Sequence, residues 1–370
     1  MARSRRRRLL ALGLTALSVA ALLGAVLVKW WMAPRLIKIP ETGTSTTISE
    51  GDGQALDITT GKLVPIRAQA TLTVVALPKE STSNVTVISA ITCIRVLGPG
   101  GAAPGKQGCV PTTDPNYLTM TTEQIAMDRK SADSVKDDGR YGTNLNGDKA
   151  IPHVGLTYTF PIGTKKHDYT LFDGTAGQAN PVRYLGTEKL RGLTVYRFEQ
   201  SVQAQIKIRN ALPGSYTNTH TLWVEPVTGS VVRDRQVVAE TLDGGQLALG
   251  GTLDFTPATV TKAVHDAKSM KDEIGLLRFW LPLGLLLLGV LLVPVIALLA
   301  RRPSVRVGGG VVAEQPPDAQ HHLDGNVAQP PGQFAHHPEP ISGGGGSDLE
   351  VRQRAGAPEV AQPTSGQDVP

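Results

Sequence analysis

Two long apolar stretches dominate the pattern of hydrophobic and polar positions along this 370-residue chain. The first runs from Leu9 to Val28 and the second from Phe279 to Ala300, and neither contains a charged residue. A helix of about 20 residues crosses the hydrocarbon core of a bilayer, which is roughly 30 Å thick. The pattern therefore predicts a first transmembrane helix at residues 9–32 and a second at residues 279–300.

The first stretch is compatible with a cleaved signal peptide or with an uncleaved signal anchor. Its apolar run is longer than the 7–15 residues or so that are usual in a signal peptide. No pair of small residues with cleavage-site spacing follows before residues 29–34, Lys-Trp-Trp-Met-Ala-Pro. We interpret the stretch as an uncleaved anchor, with Trp30 and Trp31 in the aromatic belt of the membrane interface.

Basic residues predict the orientation of both helices. Arginines crowd residues 1–8, and Arg301 and Arg302 follow the second span. Lys and Arg near the ends of a span stay on the cytoplasmic side. We predict a two-pass cell-membrane protein with cytoplasmic termini, consisting of a basic start (1–8), an extracytoplasmic domain (33–258), a stalk helix (259–278) and a cytoplasmic tail (301–370). This topology accounts for the net charge of +5, so we predict no nucleic-acid partner.

The segment between the spans has the alternation typical of strands. Arg67–Leu77 and Val195–Arg209 alternate between apolar and polar residues, while Val85–Val96 is apolar on both faces. A turn, Glu225–Gly229, separates two further strand-like runs at Leu222–Val224 and Val231–Glu240. We predict a mainly β domain, a twisted antiparallel sheet with some helix, between two transmembrane helices, so that the chain is α+β overall.

Helical patterns are rarer in this segment. Thr121–Met127 is compatible with a short helix, and Thr259–Leu277 predicts a stalk continuous with the second span. After Arg302 the chain is rich in Gly, Pro and Gln and poor in large apolar residues. Such a composition cannot bury a core, so we predict a disordered tail.

Two cysteines, Cys93 and Cys109, bracket a loop rich in Gly and Pro. Outside the cytoplasm such a pair normally forms a disulfide, which contributes about 2–4 kcal/mol. The alternative is two unrelated buried thiols. No histidine lies at ligand spacing from either cysteine, which argues against a metal site.

Catalytic motifs are absent from the sequence. There is no Gly-x-Ser-x-Gly, Ser-x-x-Lys or His-Glu-x-x-His motif and no phosphate-binding glycine loop. Four histidines lie between the two spans, His153, His167, His220 and His265, and they have no partner at motif spacing. We interpret them as surface residues or satisfied core groups. We therefore expect no enzyme activity, catalytic residue, cofactor or bound metal.

Several short motifs, in order along the chain, indicate a family resemblance. They are Ala126–Ser131, Gly155–Pro161 with Lys165, Lys166 and Tyr169, Phe172–Gly174, Gly192–Phe198 and Leu222–Gly229. Over roughly residues 8–300 the chain resembles the actinobacterial porin PorA family of two-span envelope proteins, long catalogued as a domain of unknown function. One departure is residues 130–132, Lys-Ser-Ala, where the family usually continues Arg-Thr-Gly.

The family name implies a pore, whereas the layout resembles, in architecture only, the class B scavenger receptors, which handle lipids through a tunnel in a β-rich domain. The many ten-residue strands of an outer-membrane barrel are not evident in the sequence. We predict that the domain binds or passes a hydrophobic or lipid molecule. The alternatives are a pore component and a structural or partner-binding envelope protein whose envelope partners the sequence does not identify.

The longest alternating strand supplies the candidate ligand face. Its apolar side comprises Tyr196, Phe198, Val202, Ala204, Ile206 and Ile208. A continuous apolar face of this length encloses either a solid core or a hydrophobic groove. Membrane lipid and a hydrophobic ligand are the predicted partners.

Overall fold

The computed structural model describes residues 2–97, 116–135, 143–144, 152–208 and 212–301. All of them belong to one compact unit, Met1–Ser304. The predicted disordered tail lies outside the described residues.

Two long helical segments flank a sheet. In chain order their parts are α1 (Ala2–Leu27), a π-helical stretch (Val28–Met32), α2 (Ala33–Leu36), α3 (Pro257–Gly275), a second π-helical stretch (Leu276–Trp280) and α4 (Leu281–Ala300). Within the described residues, Arg5–Leu36 and Pro257–Ala300 are long and apolar enough to cross a membrane. The predicted stalk is α3, which runs without a break into α4 and begins after Thr256, whose side chain caps the helix.

One antiparallel sheet of eleven strands lies between these helices in the described part of the chain. The strands are β1 (Thr44–Asp57), β2 (Lys62–Ala76), β3 (Val85–Val96), β4 (Tyr117–Asp128), β5 (Thr143–Asn144), β6 (Tyr169–Asp173), β7 (Gln178–Leu190), β8 (Leu193–Ile208), β9 (Leu212–Val224), β10 (Val231–Leu242) and β11 (Leu247–Phe255). Their spatial order is β5-β4-β3-β2-β1-β11-β10-β9-β8-β7-β6. The chain thus moves outward from β1 to one edge and returns from the other edge to β11, beside β1.

The sheet curls into a half-barrel whose two edges are connected by short segments. The backbone N–H of Val135 donates to Ala126 of β4 at 2.9 Å, and that of Ser134 donates to Gly155 at 2.8 Å. Leu156 in turn donates to Thr170 of β6 at 2.8 Å. Backbone hydrogen bonds therefore continue from one edge of the sheet to the other.

The two faces of the sheet are covered differently. The inner face carries Phe198 and Leu222, which pack against Phe160 from the segment between the edges. The outer face carries Val195 and Trp223, which pack against one side of α3. The buried carboxylate of Glu225, in the turn between β9 and β10, also pairs with Lys271 of α3 at 3.2 Å. The sheet and the stalk helix are therefore fixed to each other by apolar contacts and by an ion pair.

Most sequence expectations about local structure are confirmed. The alternating runs lie in β2 and β8, the buried run is β3, and the turn Glu225–Gly229 joins β9 to β10. The expected helix at Thr121–Met127 is wrong, because these residues lie inside β4 and pair with β3. Three of the seven residues are β-branched, a type that favours strands, and Ile125 is buried against Ile88 of the neighbouring strand.

Candidate functional site

The predicted ligand face lies on β8, and its proximal half, at the N-terminal end of the strand, is filled. Phe198 is fully buried, and its ring centroid lies 4.7 Å from that of Phe160 and 5.7 Å from that of Tyr184. Tyr196 packs against the same cluster. These side chains form a solid aromatic core because residues 152–168 fold back over the inner face.

The other half of this face is less completely covered. Val202 and Ile208 are buried, and Ile208 contacts the backbone of β9 at Gly214. Ala204 and Ile206, between them, are only half-buried. A hydrophobic ligand on this face is thus restricted to the distal part of β8, and its binding there stays a prediction.

Between the two halves the inner face carries a group of polar side chains that sequence reasoning missed. This inner polar belt comprises Asp173, Gln200, Tyr216, Asn218, His220, Asp234 and Gln236. Gln200 lies opposite His220 in the register of β8 and β9, and His220 lies opposite Gln236 of β10. The belt therefore runs across three neighbouring strands at one level.

Hydrogen bonds connect the members of the belt. Tyr216 donates its hydroxyl to Asp173 Oδ2 at 3.1 Å, and Asn218 donates Nδ2 to Gln236 Oε1 at 3.2 Å. His220 Nε2 lies 2.8 Å from Asp234 Oδ1. Buried polar groups cost folding free energy unless they are paired, so these contacts stabilise an interior that is not purely apolar.

Burial and charge shift the protonation of the belt. Burial lowers the pKa of His220, but the charge of Asp234, the hydrogen bond to it and the charge of Asp173 outweigh burial, so the pKa lies above its ordinary value. Burial and the charge of Asp173 together raise the pKa of Tyr216. The two carboxylates therefore stabilise the imidazolium form of His220 relative to that of a solvent-exposed histidine.

A second polar contact connects β4 to the segment between the sheet edges. Tyr158 donates its hydroxyl to Glu123 Oε2 at 2.6 Å, and His153 Nε2 lies 3.7 Å from the same oxygen. Burial raises the pKa of Glu123, but the interactions with His153 and Tyr158 outweigh it, so the pKa lies below its ordinary value. His153 also stacks on Phe172, with ring centroids 4.0 Å apart.

Two of the histidines that are isolated in the sequence have an acidic neighbour in the fold: Asp234 of the adjacent strand β10 lies beside His220, and Glu123 of β4 lies beside His153. His153 is buried and His220 is half-buried, but neither ring nitrogen of His153 nor Nε2 of His220 has a well-aligned hydrogen bond, so the interpretation of these histidines as satisfied core groups is not confirmed. Within the described ranges no three His, Cys, Asp or Glu side chains are arranged to hold a metal ion.

Cys93 lies on β3 and is not a free thiol. Its predicted partner, Cys109, lies outside the described residues. The pairing of the two cysteines thus stays a prediction.

The two apolar helices lie in direct contact with each other. Ser18, Ala21 and Ala25 of α1 are buried, and the Oγ of Ser18 donates to the carbonyl of Gly289 of α4 at 2.8 Å. A Cβ at Gly289 would lie 2.6 Å from Leu22, so the close approach depends on glycine. Small residues at a contact are typical of paired membrane helices.

A curled sheet between two paired apolar helices of membrane-spanning length indicates a membrane-associated protein of mainly β structure. The particular family follows from comparison with known sequences. The chain belongs to the Porin PorA family, whose model matches residues 10–298. The resemblance inferred from the motifs is thereby confirmed.

A curated relative supports the same assignment over a shorter stretch. Over 96 residues the chain is 38% identical to a protein named porin PorA from Corynebacterium resistens. The match covers 24% of this chain and 23% of that relative, so it spans only about a quarter of the relative's length.

Proposed function

We propose that this protein is a non-enzymatic component of a passage through the cell envelope, formed when several copies associate through their membrane helices. The observation that carries the proposal is the family match, which extends over both apolar helices and the whole sheet. The relative that is named a porin also supports a role in passage through the envelope.

The proposal places the sheet outside the membrane and both termini in the cytoplasm. The arginines at residues 5–8 and at Arg301 flank the cytoplasmic ends of the two helices. At the opposite ends, Trp30 and Trp280 are largely exposed, as expected of side chains in an aromatic belt.

Several copies are needed because one copy contains only a pair of helices. The contact between Ser18 and Gly289 leaves no space between α1 and α4 for a solute. The remaining surfaces of both helices are apolar and exposed, for example at Leu23 and Leu291. These surfaces are available to lipid or to further copies.

The composition of the helices favours particular solutes. In α1 only Thr15 and Ser18 are polar between Leu9 and Leu27, and α4 contains no polar side chain. An apolar constriction opposes the passage of hydrated ions. The passage is therefore expected to favour uncharged or amphiphilic solutes and to carry little ionic current.

Proteoliposomes containing the full-length chain test this proposal. We expect release of an entrapped neutral fluorescent amphiphile, with little conductance in planar bilayers, and loss of release in Gly289→Leu. Gly284→Leu is the matched control, because a Cβ at Gly284 meets nothing within 4 Å. Sealed vesicles holding oligomeric protein that pass neither solute nor ions would overturn the proposal and favour a structural role.

A second candidate function is binding of a hydrophobic molecule at the distal part of β8. The incomplete burial of Ala204 and Ile206 favours it. Ala204→Trp or Ile206→Trp should abolish binding of a fluorescent fatty acid while the protein stays folded. Absence of probe binding by the unmodified protein would exclude this candidate.

A further inference from the structure

A pocket of about 360 Å³ lies where the end of α2 and the following segment meet the lower part of α3. Its apolar wall includes Ile37, Ile162, Met270 and Ile274, and Leu36 borders it from the exposed end of α2. It is thus separate from the inner polar belt and from the ligand face on β8. We call it the interfacial pocket.

The rim of the interfacial pocket is charged but balanced. Lys38 and Arg129 contribute two cations, and Glu41 and Glu273 contribute two carboxylates. Arg129 Nη1 lies 2.7 Å from Glu41 Oε2, and its Nε donates to the carbonyl of Ile39 at 2.7 Å. The rim therefore complements a polar group without net charge better than an anion.

The distance of the pocket from the predicted spans indicates where it lies relative to the lipid head groups. Leu36 lies roughly 12 Å beyond Val28 along the first helical segment, and Ile274 lies roughly 8 Å before Phe279 along the second, at 1.5 Å per residue. Lipid head groups extend about 5–8 Å beyond the hydrocarbon core. Ile274 thus lies at the outer edge of the head-group layer and Leu36 a few ångström beyond it, so only the membrane-facing side of the pocket borders the head groups.

Apolar surface connects the pocket to the membrane below. Leu36 and Leu276 are more than half exposed, and Trp30 and Trp280 lie next along the same two helices. A lipid whose head group occupied the pocket could keep its acyl chains against these side chains. A free solute bound in the pocket would leave these exposed leucines in water, whereas a lipid would cover them.

We propose that the interfacial pocket binds the head group of an outer-leaflet lipid whose head group carries no net charge. Its volume is at the lower end of the range of about 300–1,000 Å³ for ligand sites, enough for a head group and the first carbons of a chain. The remaining acyl chain stays in the bilayer. The site rests on the topology proposed above but not on the proposed passage.

Photolabelling of the full-length protein in nanodiscs tests the site. The probes are phosphatidylcholine and phosphatidylglycerol, each with a photoactivatable group on the head group. We expect phosphatidylcholine to label peptides containing residues 36–41 and 270–277, and phosphatidylglycerol to label them less. Uniform labelling along the whole of α3, or equal labelling by the two lipids, would overturn the proposal.

Three substitutions distinguish a built pocket from a general membrane contact. Met270→Trp fills the pocket and should abolish labelling, whereas Ser269→Trp changes an exposed neighbour on the same helix and should retain it. Glu273→Lys makes the rim positive and should shift preference towards phosphatidylglycerol. Circular dichroism and size-exclusion profiles confirm folding. Equal labelling of the two tryptophan variants, or no change of preference in Glu273→Lys, would contradict a built site.

Discussion

Ser18 on α1 and Gly289 on α4 meet where the two apolar helices cross, with the serine hydroxyl 2.8 Å from the glycine carbonyl. The contact needs both residues. The lack of a side chain at Gly289 lets the two helices approach closely, and the Ser18 hydroxyl then reaches the carbonyl of Gly289. It joins the N-terminal and C-terminal apolar helices that flank the sheet. The importance of this contact can be tested by substitution.

Gly289→Leu should separate the helix pair, because its side chain would overlap Leu22. Overpacking of this kind costs about 1–3 kcal/mol. Ser18→Ala removes one hydrogen bond and should cost about 0.6 kcal/mol, the average for such bonds in membranes. Thermal unfolding in detergent checks both. A stability of Gly289→Leu equal to that of Gly284→Leu would refute the importance of the contact.

The orientation of the sheet can be tested by cysteine labelling in intact cells. Ile58 is largely exposed in the hairpin between β1 and β2, so Ile58→Cys should react with a membrane-impermeant maleimide. Arg5→Cys, at the predicted cytoplasmic end, should react only after permeabilisation. The reverse pattern would contradict the predicted topology.

His220 should make stability depend on pH. Its pKa in the folded protein is raised by Asp234 and Asp173 despite burial. The unfolded value is about 6.5. A histidine whose pKa is higher in the folded than in the unfolded protein stabilises the folded state. This stabilisation is fully present below the pKa of the unfolded protein and is lost as the pH rises through the pKa of the folded protein. His220→Gln should flatten this decline in thermal unfolding curves measured above about pH 6. An unchanged slope would contradict the assignment.

Phe198 and Ile206 lie on the same face of β8 but should respond differently to truncation. Phe198→Ala removes a fully buried ring from the aromatic core and should cost about 3–5 kcal/mol. Ile206 is half-buried, so Ile206→Ala should cost clearly less. Chemical denaturation of both variants provides the comparison. Equal losses would mean that the distal half is filled as completely as the proximal half.

The disulfide between Cys93 and Cys109 is tested by mass spectrometry of non-reduced peptides, which should yield this cross-link. Because the bond restricts the unfolded chain, Cys109→Ser should lower the free energy of unfolding by about 2–4 kcal/mol. Two thiols that can be alkylated in protein purified without reductant would disprove the pairing.

Local structure could be predicted wherever the order of apolar and polar residues within a single strand indicates that strand. The apolar run Val85–Val96 is β3 with the same bounds, and the alternation of Val195–Arg209 lies in β8, whose described residues end at Ile208. Residues 121–127 lack such a pattern. Their polar Glu123 points inward because Tyr158, distant in sequence, donates a hydrogen bond to it.

The inner polar belt escaped prediction for the same reason. Gln200 interrupts the apolar side of β8, which is visible in the sequence, but its partner is the carbonyl of Leu171 on a strand that is not its neighbour. The partner of His220 is Asp234, on another strand. Single-strand patterns reveal which side is buried, whereas pairing across strands depends on the completed sheet.

The position of β11 beside β1 also has a consequence for the order of folding. Ser49 pairs with Phe255, about two hundred residues later in the chain, whereas β1 to β4 pair with their sequence neighbours. During synthesis the edge of β1 that faces β11 therefore stays unpaired until the last strand is made, immediately before α3. An open edge invites pairing with other chains. The second apolar helix is synthesised directly after the strand that closes this seam, so the sheet becomes complete just as the helix that packs against α1 is made.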